Sequence, residues 1–188
     1  MFIAVSLPEP VKDAISLAQN EFREALTLKS VRWTKREQLH VTLRFLGEVA
    51  SHRVEALVGR ARRAGERSGV LELRAAGIGM FPHSRRPRVL WTHVHERRER
   101  LSVLQRSVQE ATADFTTERP ERTFTGHVTL GRCKTITRAQ AETLTRLARA
   151  MENRAFGEWM ADRIEIVRSE LGPGGSRYTT LAEVPLTV

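Results

Sequence analysis

His40-Val-Thr-Leu43 and His127-Val-Thr-Leu130 are identical tetrapeptides in a chain of 188 residues. They lie 127 minus 40, or 87, residues apart, which is close to half of the chain. A segment with helical periodicity precedes each copy, and another follows it. The repeat therefore predicts a duplicated half-domain, in which the two copies occupy equivalent strands related by a pseudo-two-fold axis.

Strand alternation gives each copy one polar face. Side chains at positions i and i+2 of a β-strand project to the same side, so His40 and Thr42 point one way and the apolar residues between and after them point the other. His127 and Thr129 share a face in the same manner. Each copy is thus expected to turn its valine and leucine to the core and its histidine and threonine to a cleft.

Two such strands facing one another would place two imidazoles and two hydroxyls around a small anion. Opening a cyclic phosphodiester needs a base to activate water and an acid to protonate the leaving ribose oxygen, and histidine does both near neutral pH. Thr42 and Thr129 can donate hydrogen bonds to the phosphate oxygens as charge develops on them. Neither motif contains a carboxylate, so we expect no metal and no cofactor.

The rest of the sequence predicts an α+β fold with antiparallel sheets. Helical periodicity marks four segments, and the Thr137-x-x-Gln140 pattern predicts a capping box at the start of the fourth. The turn Gly172-Pro-Gly-Gly-Ser176 predicts a hairpin between the last two strands. Helices are predicted around residues 11–26, 54–61, 101–115 and 137–151, and strands at residues 2–7, 40–46, 71–75, 88–94, 127–133, 164–171 and 178–184.

Composition limits the classes of partner. The 31 basic and 22 acidic residues give a net charge of +9, which favours polyanions, although an arginine-rich composition can equally belong to the source organism. No apolar run approaches the roughly 20 residues of a membrane helix, so no membrane partner is expected. The start at residues 1–8 is interpreted as a strand rather than a signal peptide. Cys133 is the single cysteine, which favours the cytoplasm, and we expect a monomer.

On these motifs the sequence resembles the 2H phosphoesterase superfamily, named for its two His-x-Thr motifs. Within it, the sequence is most similar to the RNA 2′,3′-cyclic phosphodiesterases, historically called 2′-5′ RNA ligases. The similarity covers nearly the whole chain as one ordered series of segments: residues 2–5, 31–33, 39–47, 81–82, 86–91, 127–132 and 169–179.

The resemblance implies one bilobal domain over residues 1–188, with a central cleft between two pseudo-symmetric lobes. Each lobe would have an antiparallel sheet with flanking helices and carry one motif, at residues 40–43 and 127–130. It also implies hydrolysis of RNA 2′,3′-cyclic phosphate ends, or of cyclic nucleotides, to 2′-phosphomonoesters. His40 would be the proton donor and His127 the proton acceptor, roles that the symmetry of the two motifs leaves open.

Two arginines are candidate substrate-binding residues. Arg132 matches a family arginine placed near the substrate phosphate, but strand alternation puts it on the side of Val128 and Leu130. It could reach the cleft only if Gly131 introduced a β-bulge or ended the strand. Arg44 has the same parity as His40, so alternation predicts that it faces the cleft.

Other interpretations stay open at the level of sequence. The same residues could join RNA ends through a 2′-5′ linkage in the reverse reaction, or bind RNA ends without catalysis. Trp33, Phe81 and Trp91 could stack on a terminal base, although Trp91 fits better in the core. His93 and His95 have metal-ligand spacing, but no nearby carboxylate or cysteine completes a site.

Overall fold

A computed structural model describes residues 1–26, 30–173 and 175–187 and confirms the α+β fold. The strands in this part of the chain are β1 (Phe2–Ser6), β2 (Val31–Trp33), β3 (His40–Phe45), β4 (Leu71–Phe81), β5 (Val89–His95), β6 (His127–Cys133), β7 (Ala155–Ala161), β8 (Arg163–Gly172) and β9 (Gly175–Pro185). The helices are α1 (Glu9–Leu26), α2 (Val54–Gly65), α3 (Arg100–Ala111) and α4 (Arg138–Ala150). Within these ranges, no helix is both long and apolar enough to cross a membrane.

The predicted elements are present, with two strands added. The capping box at Thr137 forms as expected, since its side chain accepts from the Gln140 amide and the Gln140 side chain caps Thr137 in return. β8 and β9 pair as the predicted hairpin, whose Gly174 lies outside the described residues, as does the side chain of Leu26 in α1. The alternation of apolar and polar residues was too short in β2 and too weak in β7 to predict either strand.

The strands form one curled antiparallel sheet in the order β7-β4-β5-β6-β3-β1-β8-β9, and β2 pairs with β6. The two motif strands, β3 and β6, meet in the middle, where Val41 pairs with Val128. The first half of the chain supplies β4 to the β6 side, where it pairs with β5 and β7. The C-terminal hairpin joins the β3 side through the pairing of β8 with β1. Each side of the sheet therefore contains strands from both halves of the sequence.

Both motif strands carry a β-bulge at the leucine of the repeat. Ala4 of β1 pairs with Thr42 and the preceding residue pairs with Arg44, so Leu43 is the extra residue in β3. In β6, Trp91 pairs with Thr129 and Leu90 with Gly131, so Leu130 is the extra residue. A bulge reverses the alternation that follows it. Residues 45 and 132 therefore return to the cleft side of the sheet.

Buried glutamines support the two bulges. The Gln19 side chain on α1 donates to the Leu130 carbonyl at 2.8 Å, and the Gln105 side chain on α3 donates to the Leu43 carbonyl at 3.3 Å. Both glutamines are almost fully buried. A buried carbonyl has two lone pairs and can take more than one donor, and the Leu130 carbonyl also accepts from the Thr34 amide at 2.9 Å. Each half of the chain thus supplies the donor that stabilises the bulge of the other half.

Replacing Gly131 with alanine tests the β6 bulge. A Cβ atom at this position would lie 2.8 Å from the Val31 Cγ1 and 3.1 Å from the Trp33 ring. We expect Gly131→Ala to lower the free energy of unfolding by about 1–3 kcal/mol, since β2 must move to relieve the overlap. Urea denaturation monitored by tryptophan fluorescence measures the change.

Gly59 provides the matched control. It lies in α2, and its added Cβ meets nothing within 4 Å, so Gly59→Ala should raise the free energy of unfolding by about 0.5–1 kcal/mol. Equal stability of the two variants would contradict the packing assigned to Gly131.

Candidate active site

The pairing of β3 with β6 brings the two motifs face to face. Val41 is opposite Val128, and the strands are antiparallel, so the register places His40 across from Thr129 and His127 across from Thr42. Directly opposite residues project to the same side of a sheet. The four polar side chains therefore form one cluster on the cleft face, and the valines between them are fully buried on the other face.

A cavity of about 380 Å³ lies over this cluster. All six predicted site residues line it: His40, Thr42, Arg44, His127, Thr129 and Arg132. The cavity volume falls in the range of about 300–1,000 Å³ that is typical of small-molecule sites. The remaining wall is formed by residues that strand alternation did not identify, namely Thr34, Gln38, Leu43, Phe45, Glu118, Arg119, Glu121, Phe124 and Tyr178.

Both catalytic candidates are held in the same way. The His40 Nδ1 lies 2.7 Å from the Gln38 carbonyl oxygen, and the His127 Nδ1 lies 2.7 Å from the Thr125 carbonyl oxygen. A carbonyl only accepts, so Nδ1 must carry the proton in each ring. This leaves the Nε2 atoms as the sites of proton exchange. The bond runs to residue i−2 in both lobes, as the pseudo-two-fold axis requires.

The His40 ring packs against two aromatic side chains. Its ring stacks on Phe2 with centroids 4.7 Å apart, and Tyr178 meets it edge-on at 5.6 Å. Its Nε2 lies 2.9 Å from the Thr42 hydroxyl. Burial lowers the pKa of His40 below its ordinary value, and the hydrogen bond to Gln38 opposes this effect. Of the nearby ionisable groups, His127 and Arg132 lower the pKa of His40 further, and Glu165 raises it.

His127 rests on a pair of stacked aromatic rings. Phe81 and Trp91 are stacked with centroids 4.6 Å apart, and each meets the His127 ring edge-on, at 5.3 Å and 5.8 Å. Gly79 makes room for this arrangement, because a Cβ there would lie 2.3 Å from the Trp91 indole. Trp91 is directly opposite Thr129, so the stacked pair flanks His127 on the same face of the sheet, next to the cavity but not in its lining. Among the described residues, neither ring belongs to the apolar core clusters, so Trp91 is not the core residue that the sequence favoured. Trp33 packs against Phe22 and does not line the cavity either.

The bulges give the two candidate arginines different positions. Arg132 is exposed on the cleft face, because the bulge at Leu130 and Gly131 reverses the alternation. The bulge at Leu43 moves Arg44 to the buried side of β3, so alternation alone misplaced it. Arg44 is only 6% exposed, although it borders the cavity. Contact of either arginine with substrate stays a prediction.

Arg44 holds one wall of the cavity in place. Its guanidinium donates to the carbonyl oxygens of Glu118 and Arg119 at 2.8 Å and 3.0 Å, and to the Gln109 side chain at 3.2 Å. Gln109 in turn accepts from the Glu121 amide at 2.7 Å. These bonds join β3 to the loop before β6. Their partners are main-chain groups and a helix glutamine, which no motif in the sequence could have marked.

The other reactive side chains do not line the cavity, although His93 is directly opposite His127 in the pairing of β5 with β6. The His93 and His95 rings contact each other with centroids 3.8 Å apart on β5, outside the lining of the cavity. Across residues 1–26, 30–173 and 175–187, no three His, Cys, Asp or Glu side chains are grouped as a metal site requires. Cys133 is half-buried, and burial raises the pKa of its thiol, which disfavours the reactive thiolate.

The cleft, with two His-x-Thr pairs on paired antiparallel strands, defines the class as a 2H phosphoesterase. The sequence model of the family described as LigT like phosphoesterase matches residues 5–91 and residues 93–178, and each matched segment contains one motif. The chain belongs to this family and is a phosphoesterase, as the motifs predicted.

Curated relatives agree with this assignment. A protein of Methanothermobacter thermautotrophicus named RNA 2′,3′-cyclic phosphodiesterase is 33% identical over 183 residues, which cover 96% of this chain and 95% of the relative. A protein of Thermus thermophilus with the same name is 31% identical and covers 99% of this chain and 89% of the relative.

Solved structures show the same fold. TT0787 of Thermus thermophilus superimposes with a TM-score of 0.79 at 28% identity, covering 98% of this chain and 96% of that one. E. coli LigT, crystallised with 3′-AMP, gives a TM-score of 0.74 at 23% identity, covering 100% of this chain and 97% of that one. The α+β architecture with a curled antiparallel sheet is therefore confirmed.

An NMR titration tests the environment of His40. Its Cε1 proton signal should titrate below about pH 6.5, the value of an unperturbed imidazole, because burial favours the neutral ring. The unfolded chain then binds this proton more readily, so the contribution of His40 to stability is present at neutral pH and is lost as the pH falls through 6.5 towards the folded pKa.

The His127→Gln variant is the control for this titration. Removing the nearby charge should raise the pKa of His40 towards its ordinary value. A His40 signal that titrates at or above pH 6.5 in the unmodified protein would contradict the burial described for it.

Proposed function

We propose that this phosphoesterase hydrolyses the 2′,3′-cyclic phosphate at an RNA end to a 2′-phosphomonoester, without a metal or cofactor. The observation that carries the proposal is the convergence of both His-x-Thr pairs on one cavity, each histidine with Nδ1 bonded to a carbonyl, so that Nε2 is the nitrogen that exchanges a proton. The His40 Nε2, which lies 2.9 Å from the Thr42 hydroxyl, would exchange this partner for the substrate. The names of the curated relatives support the substrate class. A cyclic mononucleotide contains the same reacting group as the RNA end.

In the proposed reaction, the two histidines act on opposite sides of the phosphorus atom. His127 Nε2 takes a proton from water as the water oxygen forms a bond to phosphorus. The bond from phosphorus to the ribose 3′ oxygen breaks, and that oxygen keeps the electron pair and takes a proton from His40 Nε2. The 2′ oxygen retains the phosphate. Proton transfer of this kind contributes about 10²- to 10⁴-fold to a rate.

The hydroxyls of Thr42 and Thr129 are assigned to the non-bridging phosphate oxygens. The register places each threonine across from the histidine of the other lobe, so both flank the same small volume. Arg132 is exposed on the same face and would add a positive charge beside the phosphate. Hydrogen bonds and charge that meet developing negative charge stabilise the transition state more than the substrate.

The lowered pKa of His40 fits a proton donor that becomes protonated when the substrate binds. Burial favours the neutral ring in the free site. A phosphate monoanion bound against Nε2 favours the imidazolium, because an opposite charge within hydrogen-bond distance raises the pKa of a histidine. His40 would then be protonated when substrate is present and would release its proton readily to the leaving oxygen.

We also propose that residues 1–188 form a single catalytic domain with one motif in each lobe. The exchange of strands between the two halves supports this, since neither half has a complete set of sheet partners of its own. The two segments matched by the family sequence model each contain one motif, at residues 40–43 and 127–130.

Single histidine substitutions test the catalytic pair. His40→Ala and His127→Ala should each lower kcat/KM on 2′,3′-cyclic AMP by about 10²- to 10⁴-fold, while circular dichroism shows a folded protein. His52→Ala is the matched control, because this histidine is exposed and lies outside the cavity. Full activity in either cavity variant would refute paired-histidine catalysis.

Product analysis tests the regiochemistry and the absence of a metal. An oligonucleotide ending in a 2′,3′-cyclic phosphate should yield only the 2′-phosphate, identified by ³¹P NMR, at a rate unchanged by excess EDTA. A 3′-phosphate product would reverse the assigned leaving oxygen. Inactivation by EDTA that zinc or magnesium restores would show that a metal takes part.

A sulfur substitution separates donor from acceptor. When the bridging 3′ oxygen is replaced by sulfur, the thiolate leaves without a proton. On this substrate, the loss of kcat/KM in His40→Ala relative to the unmodified enzyme should be at least about tenfold smaller. The loss of kcat/KM in His127→Ala should persist. The opposite pattern would exchange the two roles.

A further inference from the structure

His40 borders two cavities, of which the proposed reaction uses one. A second cavity of about 250 Å³ shares the wall residues Gln38, His40 and Tyr178 with the catalytic cavity. These three residues therefore stand between the two spaces. We call the second cavity the rear pocket, and its other walls include Ala4 and Glu165.

The pairing of three strands places Glu165 in the rear pocket. Ala4 of β1 pairs with Thr42 of β3 on one side and with Glu165 of β8 on the other. Directly opposite residues project to the same side of a sheet, so Glu165 lies on the cleft face, in the row of the motif threonine. Neighbouring strands are about 4.8 Å apart, so β8 lies about 10 Å from β3. Because the alanine between them has a short side chain, the space of the rear pocket stays open.

Glu165 presents a carboxylate to this pocket. The residue is half-buried, and its Oε2 accepts a hydrogen bond from the Thr180 hydroxyl at 3.1 Å. Thr180 is neutral, so this bond orients the carboxylate without cancelling its charge. Glu183 is directly opposite Glu165 on β9, and its own charge is paired with Arg163 at 2.8 Å.

The other ionisable side chains of the rear pocket are neutral, exposed or already paired. Lys12 forms an ion pair with Glu9 at 2.9 Å, and Glu37 is exposed to solvent, which screens its charge. Burial raises the pKa of Tyr178, which keeps its phenol neutral. Among the described residues that line this pocket, Glu165 is therefore the half-buried negative charge that faces His40.

The charged groups of the catalytic cavity have the opposite effect on His40. His127 and Arg132 lower the pKa of His40, whereas Glu165 raises it. The positive groups lie on β6, on the side where the substrate is expected, and the negative group lies on β8, beyond the rear pocket. The imidazole thus lies between cations in front and a carboxylate behind.

A buried proton donor needs a partner of this kind. The donor must be protonated before the leaving oxygen can take its proton, but burial favours the neutral His40 ring. After each turnover the ring must also regain a proton from solvent. A carboxylate behind the ring favours the protonated state throughout the cycle and does not occupy the volume that the substrate needs.

We propose that Glu165 is a positioning residue for acid catalysis, whose carboxylate stabilises the protonated His40 imidazole from the side of the rear pocket. This inference rests on the proposed function and adds an electrostatic partner to its proton donor. Glu165 does not line the catalytic cavity, so it acts through His40 and not on the substrate.

Glu165→Gln removes the charge and keeps the shape. The side-chain carbonyl of glutamine can still accept the hydrogen bond from Thr180, so the β8–β9 hairpin is retained. We expect kcat on 2′,3′-cyclic AMP to fall by about 3- to 30-fold near neutral pH, with KM within about twofold, because the donor itself is still present. Glu170→Gln is the matched control, an exposed carboxylate on β8 outside both cavities, and should change neither constant.

The pH dependence of kcat separates a charge effect from structural damage. Activity falls at alkaline pH as the donor loses its proton, so the alkaline limb should move to lower pH in Glu165→Gln while the acid limb stays in place. The His40 Cε1 proton signal should titrate at lower pH in the same variant and be unchanged in Glu170→Gln. A lowered profile with no displaced limb would make Glu165 a structural residue and overturn the inference.

The substrate with a bridging 3′ sulfur gives an independent readout. Its thiolate leaves without a proton, so Glu165→Gln should hydrolyse it within about twofold of the unmodified enzyme. An undiminished loss on this substrate would exclude Glu165 from the acid step. If the unmodified enzyme does not hydrolyse 2′,3′-cyclic AMP, the proposed function fails. If it does, and His40 titrates unchanged in Glu165→Gln, only this inference fails.

Discussion

The site depends on one short contact, the pairing of Val41 with Val128 between the two motif strands. A sheet has a side-chain period of two, so a slip of one residue here would turn the motif histidine and threonine of one strand into the core. The buried valines resist that slip, because each would have to leave an apolar environment. The same register that satisfies the core therefore sets the positions of four polar side chains above it.

Hydrogen bonds to backbone carbonyls then orient the two histidines that this register brings together. The carbonyls of Gln38 and Thr125 select the same tautomer in both histidines. Aromatic rings packed against each imidazole fix its plane. Two identical motifs nevertheless have different environments. His40 is stacked on Phe2, and burial lowers its pKa, whereas His127 stands against the edges of two rings. This difference in surroundings provides a physical basis for separate acid and base roles.

Strand alternation in the sequence was sufficient to predict which side of β3 and β6 carries the histidines and threonines, because that rule is local. It misplaced Arg44 and left Arg132 undecided, because a bulge depends on the neighbouring strands and on the helix below. One signal of the bulges was present in the sequence, because Gln19 and Gln105 each interrupt the apolar face of the helix before a motif. Each glutamine donates to the carbonyl of the bulged leucine in the other lobe. The loop held by Arg44 and the exposed face of Phe45 arise from tertiary contacts that no local pattern encodes.

The exchange of strands between the halves has a consequence for symmetry. Two identical half-chains associating in this way would form a two-fold dimer, in which any side chain at one end of the cleft must recur at the other. Joining both halves in one polypeptide removes that restriction, so the cleft can present phenylalanine at one end and arginine at the other. Covalent linkage thus allows a pseudo-symmetric scaffold to carry an asymmetric cleft.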